Sequence, residues 1–427
     1  MLTSCDSYTI DRQRLTRRRL LKAMPAAALL GGACLSDTIA VHADELRRSG
    51  KAMILLWMAG GPPQTECFDP KPQLSELAAI DTATPGVQFG ELWPEMARSS
   101  GEVCVVRSLN NKEGEHQRAS YQVHTGYIPS GSVRHPALGS SLAKQLVRLE
   151  DSQSDLPPVA RIASGRGLPG AGFLGADWEP FHVESPGEMP RNIAPNVDAA
   201  RFRRRLALTS QLDDRFARSG HEQTARDHAD LYAQTAALVT SPDVTAFDLS
   251  GESASLRADY GETDFGRGCL LARRLVERGV RFVEVVSRGW DMHDNLAGSL
   301  REKAGEVDPA MATLLRDLKS RGLLDDTLVV WMGEFGRTPR INGRGGRDHY
   351  PRVFSAVMAG CGVRGGSVVG ASSDDGTRLT ERPVTVGDLH ATFCRALGLE
   401  PTHEEMSPVG RPLRIVDQGS PIDEVFG

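Results

Sequence analysis

The chain has 427 residues, of which 40% are hydrophobic and 25% are charged, a composition typical of a folded soluble protein. Its net charge of −5 divides unevenly, because residues 1–43 carry six Arg or Lys and three Asp, which leaves −5 − 3 = −8 for residues 44–427. A mildly acidic body excludes a general electrostatic attraction to nucleic acid or to an anionic membrane, so we expect no nucleic-acid partner.

The first 43 residues predict export. The basic run Thr16-Arg-Arg-Arg-Leu-Leu-Lys22 precedes an apolar stretch at 23–35, and the small residues at 41–43 suit a cleavage site. The run resembles the twin-arginine export motif, so we interpret residues 1–43 as a twin-arginine-type signal peptide. We therefore expect the twin-arginine export machinery as a partner and a periplasmic or extracellular location. A chance basic run on an ordinary secretory signal is the alternative.

The same segment is not predicted to anchor the chain. The stretch at 23–35 is too short to span a bilayer as a helix, so we expect no transmembrane segment there. Lipoprotein anchoring at Cys34 is not expected either, because the leucine before it lies one position too early. The five cysteines beyond residue 43 are odd in number and show no CxxC spacing, which indicates neither a disulfide framework nor a cysteine zinc site.

From residue 50 onward, strand and helix patterns alternate. Continuous apolar runs predict buried strands at 52–58, 102–107, 158–162, 280–286, 327–332 and 354–359. Helical periodicity predicts helices at 138–149, 265–278, 300–321 and 385–397. This alternation predicts an α/β fold in which a doubly wound, mainly parallel sheet carries helices on both faces.

Residues 165–260 interrupt this alternation. The segment is rich in Gly and Pro up to Asn196 and continues as a charged helical stretch from 199 to 238. We interpret it as an insertion in, or a cap over, a single domain that spans residues 44–427, rather than as a second domain.

Residue types that bind metals follow two of the predicted strands. Asp291 and His293 follow the strand at 280–286, Glu334 follows the strand at 327–332, and Asp348 and His349 come shortly behind. Because the carboxyl ends of parallel strands meet at one edge of a sheet, we expect these side chains to converge. Carboxylate and imidazole ligands suit zinc, manganese or a similar divalent ion.

Each of these residues also has a structural interpretation. Asp291 could cap the next helix, with His293 on the surface. Glu334 could form an ion pair with Arg337, three residues further on, and Arg337 could instead bind an anion.

Two histidines follow the second predicted strand. His116 and His124 are eight residues apart, about two helical turns, so one helix face could carry both. A helix that begins near His116 would point free N–H groups at a bound anion, whereas surface histidines on a capped helix are the alternative. On the loop after the first strand, Glu66 is a further candidate ligand, and Asp69 before Pro70 is more typical of a turn.

Several segments together resemble a family of secreted bacterial domains of unknown function (number fifteen-hundred-and-one). The segments are Gly60-Gly-Pro-x-Gln64, Phe68-Asp-Pro-Lys71, His116-x-x-Ala119, His124-Thr-Gly-Tyr127, Gly289-Trp-Asp-x-His293, Trp331-Met-Gly-Glu-Phe-Gly-Arg-Thr-Pro339 and Gly346-Arg-Asp-His-Tyr-Pro351. The resemblance covers nearly all of residues 50–427. That family is placed with the alkaline phosphatase/sulfatase superfamily, so the resemblance implies a doubly wound sheet that carries metals at its strand ends.

The departures from the superfamily pattern concern the catalytic positions. Counting back from the Thr-Gly at 125–126, the position of the sulfatase nucleophile falls on His116, which is neither Cys, Ser nor Thr. The superfamily's later Asp-His-Gly falls on the Glu-Phe-Gly at 334–336, which keeps the carboxylate and loses the imidazole. The resemblance therefore implies a redistributed metal site and does not support a covalent alkoxide mechanism.

These observations favour an exported, metal-dependent enzyme, and the resemblance implies a hydrolase of sulfate or phosphate esters that acts on a small molecule or a polysaccharide. One or two divalent ions would bind among five side chains, namely Asp291, His293, Glu334, Asp348 and His349. His116 would face the reacting group and Arg337 would neutralise developing charge, with Glu66 and His124 as possible additions. The alternative is a non-catalytic protein of the cell envelope that binds glycan or a structural metal in the same cleft.

Overall fold

A nine-stranded sheet forms the centre of the computed structural model, which describes residues 50–427 apart from 130, 132, 151–153, 164–166, 192 and 194–196. In chain order its strands are β1 (Ala52–Ala59), β2 (Cys104–Asn110), β3 (Val159–Ile162), β4 (Phe181–Val183), β5 (Phe282–Arg288), β6 (Thr327–Met332), β7 (Phe354–Ala359), β8 (Ser367–Val369) and β9 (Val384–Thr385). All six strands predicted from apolar runs lie in this sheet.

The strand order is β8-β2-β7-β6-β1-β5-β3-β4, with β9 paired beside β2. Strand β7 runs antiparallel to both of its neighbours, and the other pairings are parallel. Strand β1 lies between β5 and β6, so the loops after these three strands open at the same edge. The predicted mainly parallel sheet is confirmed.

Both faces of the sheet are covered. Along β1, Ile54, Leu56 and Met58 pack into one apolar core, whereas Leu55 and Trp57 pack into the other. Burial on both faces explains why the central strands are continuous apolar runs rather than alternating ones.

The described residues contain nine α-helices: α1 (Pro94–Arg98), α2 (His116–Thr125), α3 (Leu138–Glu150), α4 (Ala199–Arg218), α5 (Glu222–Thr240), α6 (Ala254–Tyr260), α7 (Asp264–Glu277), α8 (Leu296–Ser320) and α9 (Val386–Leu397). Helices α7 and α8 cover one face of the sheet, and α3 and α9 cover the other, which confirms the doubly wound arrangement. Within residues 50–427 as described, no helix has both the length and the apolar character needed to cross a bilayer.

The described part of 165–260 is partly built into the sheet, because its strand β4 pairs with β3 at one edge. Helices α4 and α5 pack against each other. Leu231 and Leu238 of α5 line a cavity of about 580 Å³ together with Pro158 and Gly279, which precede β3 and β5. This portion of α5 therefore lies at the amino end of the sheet, away from the loops that follow β1, β5 and β6.

Candidate metal centre

The carboxyl ends of β1, β5 and β6 bring together the side chains that the sequence suggested. Asp291 and His293 follow β5, and Glu334 follows β6. His116 is the first residue of α2, which begins a few residues beyond β2. His349 reaches the same place through a short antiparallel pairing of His349–Tyr350 with Gly336–Arg337, in which it lies opposite Arg337.

Gly60, just after β1, allows these loops to approach closely. A Cβ atom at Gly60 would lie 2.4 Å from the backbone nitrogen of Asp291, and its φ of +122° is one that other residues rarely adopt. The Gly60 N–H donates to Glu334 Oε1 over 2.9 Å. The tight turn after β1 thus fixes the loops that carry Asp291 and Glu334.

Asp291 Oδ1 lies within 3.3 Å of three histidine side chains. It lies 3.3 Å from His116 Nε2, 3.0 Å from His293 Nε2 and 3.2 Å from His349 Nε2. The Nε2 atoms of His293 and His349 are 3.0 Å apart. Ligands that share one ion at about 2.0–2.1 Å are separated by distances of this size.

The second nitrogen of each of these histidines meets an acceptor. His116 Nδ1 donates to Glu334 Oε1 over 2.7 Å, and His293 Nδ1 donates to Asp348 Oδ1 over 3.0 Å. His349 Nδ1 donates to the Gly114 carbonyl over 2.8 Å. Because each neutral ring then carries its proton on Nδ1, all three Nε2 atoms present lone pairs to Asp291.

Converging lone pairs of this kind fit a cation. The Nε2 atoms of His293 and His349 face each other without a hydrogen between them when both rings are neutral, and His116 Nε2 is buried and makes no hydrogen bond. Histidines that bind metals commonly donate their other N–H to a carboxylate or a carbonyl, as these three do. The donor atoms of His116, Asp291 and His349 all lie within 4.8 Å of one another, so these three residues fit a divalent ion with two nitrogen donors and one oxygen donor, and His293 lies beside them.

Arg337 fixes Asp291 from the protein side. Its guanidinium is fully buried and donates to the Gly61 carbonyl over 2.9 Å and to Asp291 Oδ1 over 2.6 Å. Partial burial alone would raise the pKa of Asp291, but the hydrogen bond and charge of Arg337 outweigh it and lower that pKa to about 2. Asp291 is thus ionised across the ordinary pH range.

Electrostatics also favour a strong donor at His116. The hydrogen bond to Glu334 raises the pKa of the His116 ring, and partial burial only partly opposes this effect. A more basic imidazole is a better metal ligand once its proton is displaced. The side chains of Asp291, His293 and His349 remain 25–46% exposed, so solvent and a ligand can reach the centre from their side.

Three polar residues that were not predicted as site residues support the cluster. Gln64 bonds to both backbone polar groups of Arg337, at 2.8 and 2.9 Å, and Asn111 Nδ2 donates to the Glu334 carbonyl over 2.9 Å. Asn342 Nδ2 donates to the His293 carbonyl over 3.0 Å. Gln64 ends one of the segments that carry the family resemblance, whereas Asn111 and Asn342 carried no signal in the sequence.

Two further candidates make their contacts elsewhere. Glu66 forms an ion pair of 2.5 Å with Arg347, and both side chains are fully buried. His124 lies 2.8 Å from Glu284, also in the interior. Both residues therefore stabilise the body around the centre, and the ligand atoms near Asp291 come from His116, His293 and His349.

The fold and the donor set define an α/β protein with a candidate metal centre at the carboxyl ends of its strands. The chain belongs to the family described as "Protein of unknown function (DUF1501)", whose model matches residues 50–426. No curated protein matches the sequence.

Among solved structures, the chain is similar to the lipoteichoic acid synthase LtaP from Listeria monocytogenes, with a TM-score of 0.38 and 11% identity over 82% of this chain and 72% of that one. It is similar to the PsFucS1 sulfatase from Pseudoalteromonas sp., with a TM-score of 0.37 and 13% identity over 86% and 72%. For the phosphonate monoester hydrolase of Agrobacterium radiobacter the values are 0.35 and 13% over 88% and 77%. Similarity this low says nothing about the residues of the centre.

Proposed function

We propose that this protein is an exported, metal-dependent hydrolase of sulfate or phosphate esters. The proposal is carried by the three imidazole Nε2 lone pairs that converge on Asp291 Oδ1 at separations of 3.0–3.3 Å. Export is inferred from residues 1–43, which lie outside the described residues, so it stays a prediction.

In this proposal one divalent ion, zinc, manganese or similar, is held by Asp291 and by the Nε2 atoms of His116 and His349, and His293 lies beside them, 3.0 Å from Asp291. Such an ion, when bound, acts as a Lewis acid toward an ester oxygen and supplies hydroxide at neutral pH. His116, which falls at the position of the sulfatase nucleophile, serves as a metal ligand in this proposal.

The two carboxylates that the sequence placed among the ligands take a different role in this proposal. Glu334 and Asp348 each accept the Nδ1 proton of a histidine, so they fix the orientation of His116 and His293. Arg337 is a positioning residue, because its buried guanidinium holds Asp291 and faces the protein rather than the solvent. Together these contacts keep the donors in place before a substrate arrives.

The exposed fractions of the donors, 25–46%, bear on the substrate. A centre that is open to solvent on one side admits an ester on a polymer as well as one on a small molecule. Polysaccharide sulfates or phosphates are therefore included in the substrate class that we propose.

Metal analysis and an ester panel test this function. We expect the full chain, loaded with Zn²⁺ or Mn²⁺ and dialysed, to retain about one ion and to hydrolyse a chromogenic sulfate or phosphate ester. Asp291→Asn and His349→Ala should lose both properties, and His221→Ala, at an exposed histidine before α5, should lose neither.

Two results would count against the proposal. A chain that retains no ion under these conditions has no metal centre. A chain that retains the ion and turns over none of the esters is the non-catalytic protein of the cell envelope, with the ion in a structural or glycan-binding role.

A further inference from the structure

Helix α4 carries an apolar stripe that faces solvent. Leu208, Leu212 and Phe216 expose 60%, 63% and 44% of their surfaces. Each step of four residues advances about 40° around a helix, so the three side chains follow one another along one side of α4. Phe202 and Leu206 lie on the side that packs against α5 and are half-buried. Phe216 stacks one ring face on His221, the residue before α5, and keeps 44% of its surface exposed, whereas α5 leaves Leu208 and Leu212 uncovered.

Arginines surround this stripe. The exposed basic residues of α4 are Arg201, Arg203, Arg204, Arg205, Arg215 and Arg218. The helix contains two acidic residues, so its net charge is 6 − 2 = +4, whereas residues 44–427 together carry −8. One of the two, Asp213, lies 2.8 Å from His228 of α5 and therefore points into the helix pair. The solvent side of α4 is accordingly almost purely cationic and apolar.

We propose that α4 lies on the surface of an anionic lipid bilayer. Leu208, Leu212 and Phe216 would enter the boundary between headgroups and acyl chains, with the helix axis parallel to the membrane. The flanking arginines would bind lipid phosphates, because their long apolar stems let the guanidinium groups reach the headgroups. The acidic body excludes a general attraction to such a membrane, so α4 is a local docking surface.

Two other binding partners fit the exposed surface of α4 less well. A soluble polyanion would engage the arginines but would give Leu208, Leu212 and Phe216 no apolar surface to bury. A second copy of the chain would cover the stripe, but it would bring the arginines of two α4 helices together, and Asp214 is the one acidic residue of the helix left on the solvent side to offset them. A bilayer with anionic headgroups satisfies both features of the helix.

This surface is independent of the metal centre. It involves none of the residues around Asp291, so membrane binding is expected whether or not the centre hydrolyses an ester. A negative result for membrane binding would therefore not count against the proposed hydrolase function.

Vesicle flotation of the full chain tests the proposal. We expect binding to vesicles of phosphatidylcholine and phosphatidylglycerol, weaker binding to phosphatidylcholine alone, and release by salt. The triple variant Leu208→Ser, Leu212→Ser, Phe216→Ser should weaken partitioning by more than about tenfold. A second variant, Arg201→Gln with Arg204→Gln and Arg205→Gln, should also weaken vesicle binding. Since every variant keeps residues 1–43, their differences report on α4.

The matched control is Met406→Ser with Val409→Ser, which removes apolar residues that are 66% and 56% exposed elsewhere on the surface. It should bind vesicles like the parent chain, and circular dichroism should show all variants folded. Unchanged vesicle binding by the serine variant would overturn the proposal.

Two further readouts distinguish the other occupants. Binding to dextran sulfate that needs the arginines alone would indicate a soluble polyanion instead of a bilayer. In sedimentation velocity without lipid, dimers that the serine substitutions abolish, together with vesicle binding that they leave intact, would identify a second copy of the chain as the occupant.

Discussion

Two histidine–carboxylate groups lie on the same sheet and differ in what they leave unpaired. In the interior, His124 Nδ1 lies 2.8 Å from the Ser120 carbonyl and its Nε2 lies 2.8 Å from Glu284 Oε1, so both nitrogens face acceptors. Arg161 donates to the second oxygen of Glu284 over 2.6 Å. At the strand ends, His116 also contacts a buried carboxylate, Glu334, but its Nε2 makes no hydrogen bond.

The difference shows that a histidine–carboxylate pair is not by itself a sign of a metal site. The interior group is closed, because both nitrogens of His124 and both carboxylate oxygens of Glu284 have partners and the side chains are almost fully buried. The group at the strand ends is open, because its Nε2 lone pairs converge on an exposed carboxylate. We therefore expect changes in the interior group to affect stability and changes at the strand ends to affect metal affinity.

The largest expected effect follows from Glu284→Ala. Removal of this carboxylate leaves the buried charge of Arg161 without its partner, which should lower the free energy of unfolding by roughly 3–5 kcal/mol. Urea unfolding of the metal-free chain measures the loss, and Glu284→Gln serves as the milder variant if Glu284→Ala does not fold. Metal affinity of the folded fraction should be unchanged. A fall in metal affinity without a loss of stability would reverse the assignment of the two groups.

The pH dependence of the free energy of unfolding should also depend on Glu284. Burial would raise the pKa of Glu284, but Arg161 and His124 outweigh it and lower the pKa to about 2. A carboxyl whose pKa is lower in the folded state contributes stability above its unfolded pKa, near 4.5, and loses it as the pH falls toward 2. The stability difference between the parent chain and Glu284→Gln should therefore shrink by at most roughly 3 kcal/mol across this interval. If urea titrations gave the same stability difference between the two chains from pH 5 to pH 2, the lowered pKa of Glu284 would be contradicted.

At the strand ends, Glu334→Gln should weaken metal binding by about 10- to 100-fold, because a neutral amide orients and polarises His116 less well than a carboxylate does. Competition with a chromogenic chelator measures the affinity. The control is Glu405→Gln. It removes a carboxylate of the same size that contacts Lys144 and His403 and no residue of the metal centre. Equal affinities for Glu334→Gln and the parent chain would remove Glu334 from the centre.

The sequence predicted the central strands well and the edge strands poorly. β1, β5 and β6 are buried on both faces, so they appear as long apolar runs with loops at their ends. β4 and β8 have three residues each and lie at the sheet edges, where half-buried side chains leave no such run. An edge strand this short forms because a neighbouring strand pairs with it, and that pairing is not visible in its own residues.

The convergence at the strand ends could be predicted, but the part that each residue plays could not. Parallel strands bring their carboxyl ends together, which was enough to place Asp291, His293 and Glu334 near one another. Whether a carboxylate faces an ion or the Nδ1 of a histidine depends on angles that spacing does not encode. The acceptor of His349 is the Gly114 carbonyl, which no side-chain motif reports.

The smallest expected effect is that of Asp348→Asn, and it sharpens the comparison with Glu334. Asp348 orients His293 over 3.0 Å, as Glu334 orients His116, but its side chain is 57% exposed whereas that of Glu334 is 2% exposed. Water screens an exposed hydrogen bond and can replace the lost acceptor, so metal affinity should fall by less than about tenfold. The same chelator competition measures it. A loss as large as that of Glu334→Gln would show that His293 depends on Asp348 despite this exposure, and that burial does not set the strength of the two pairs.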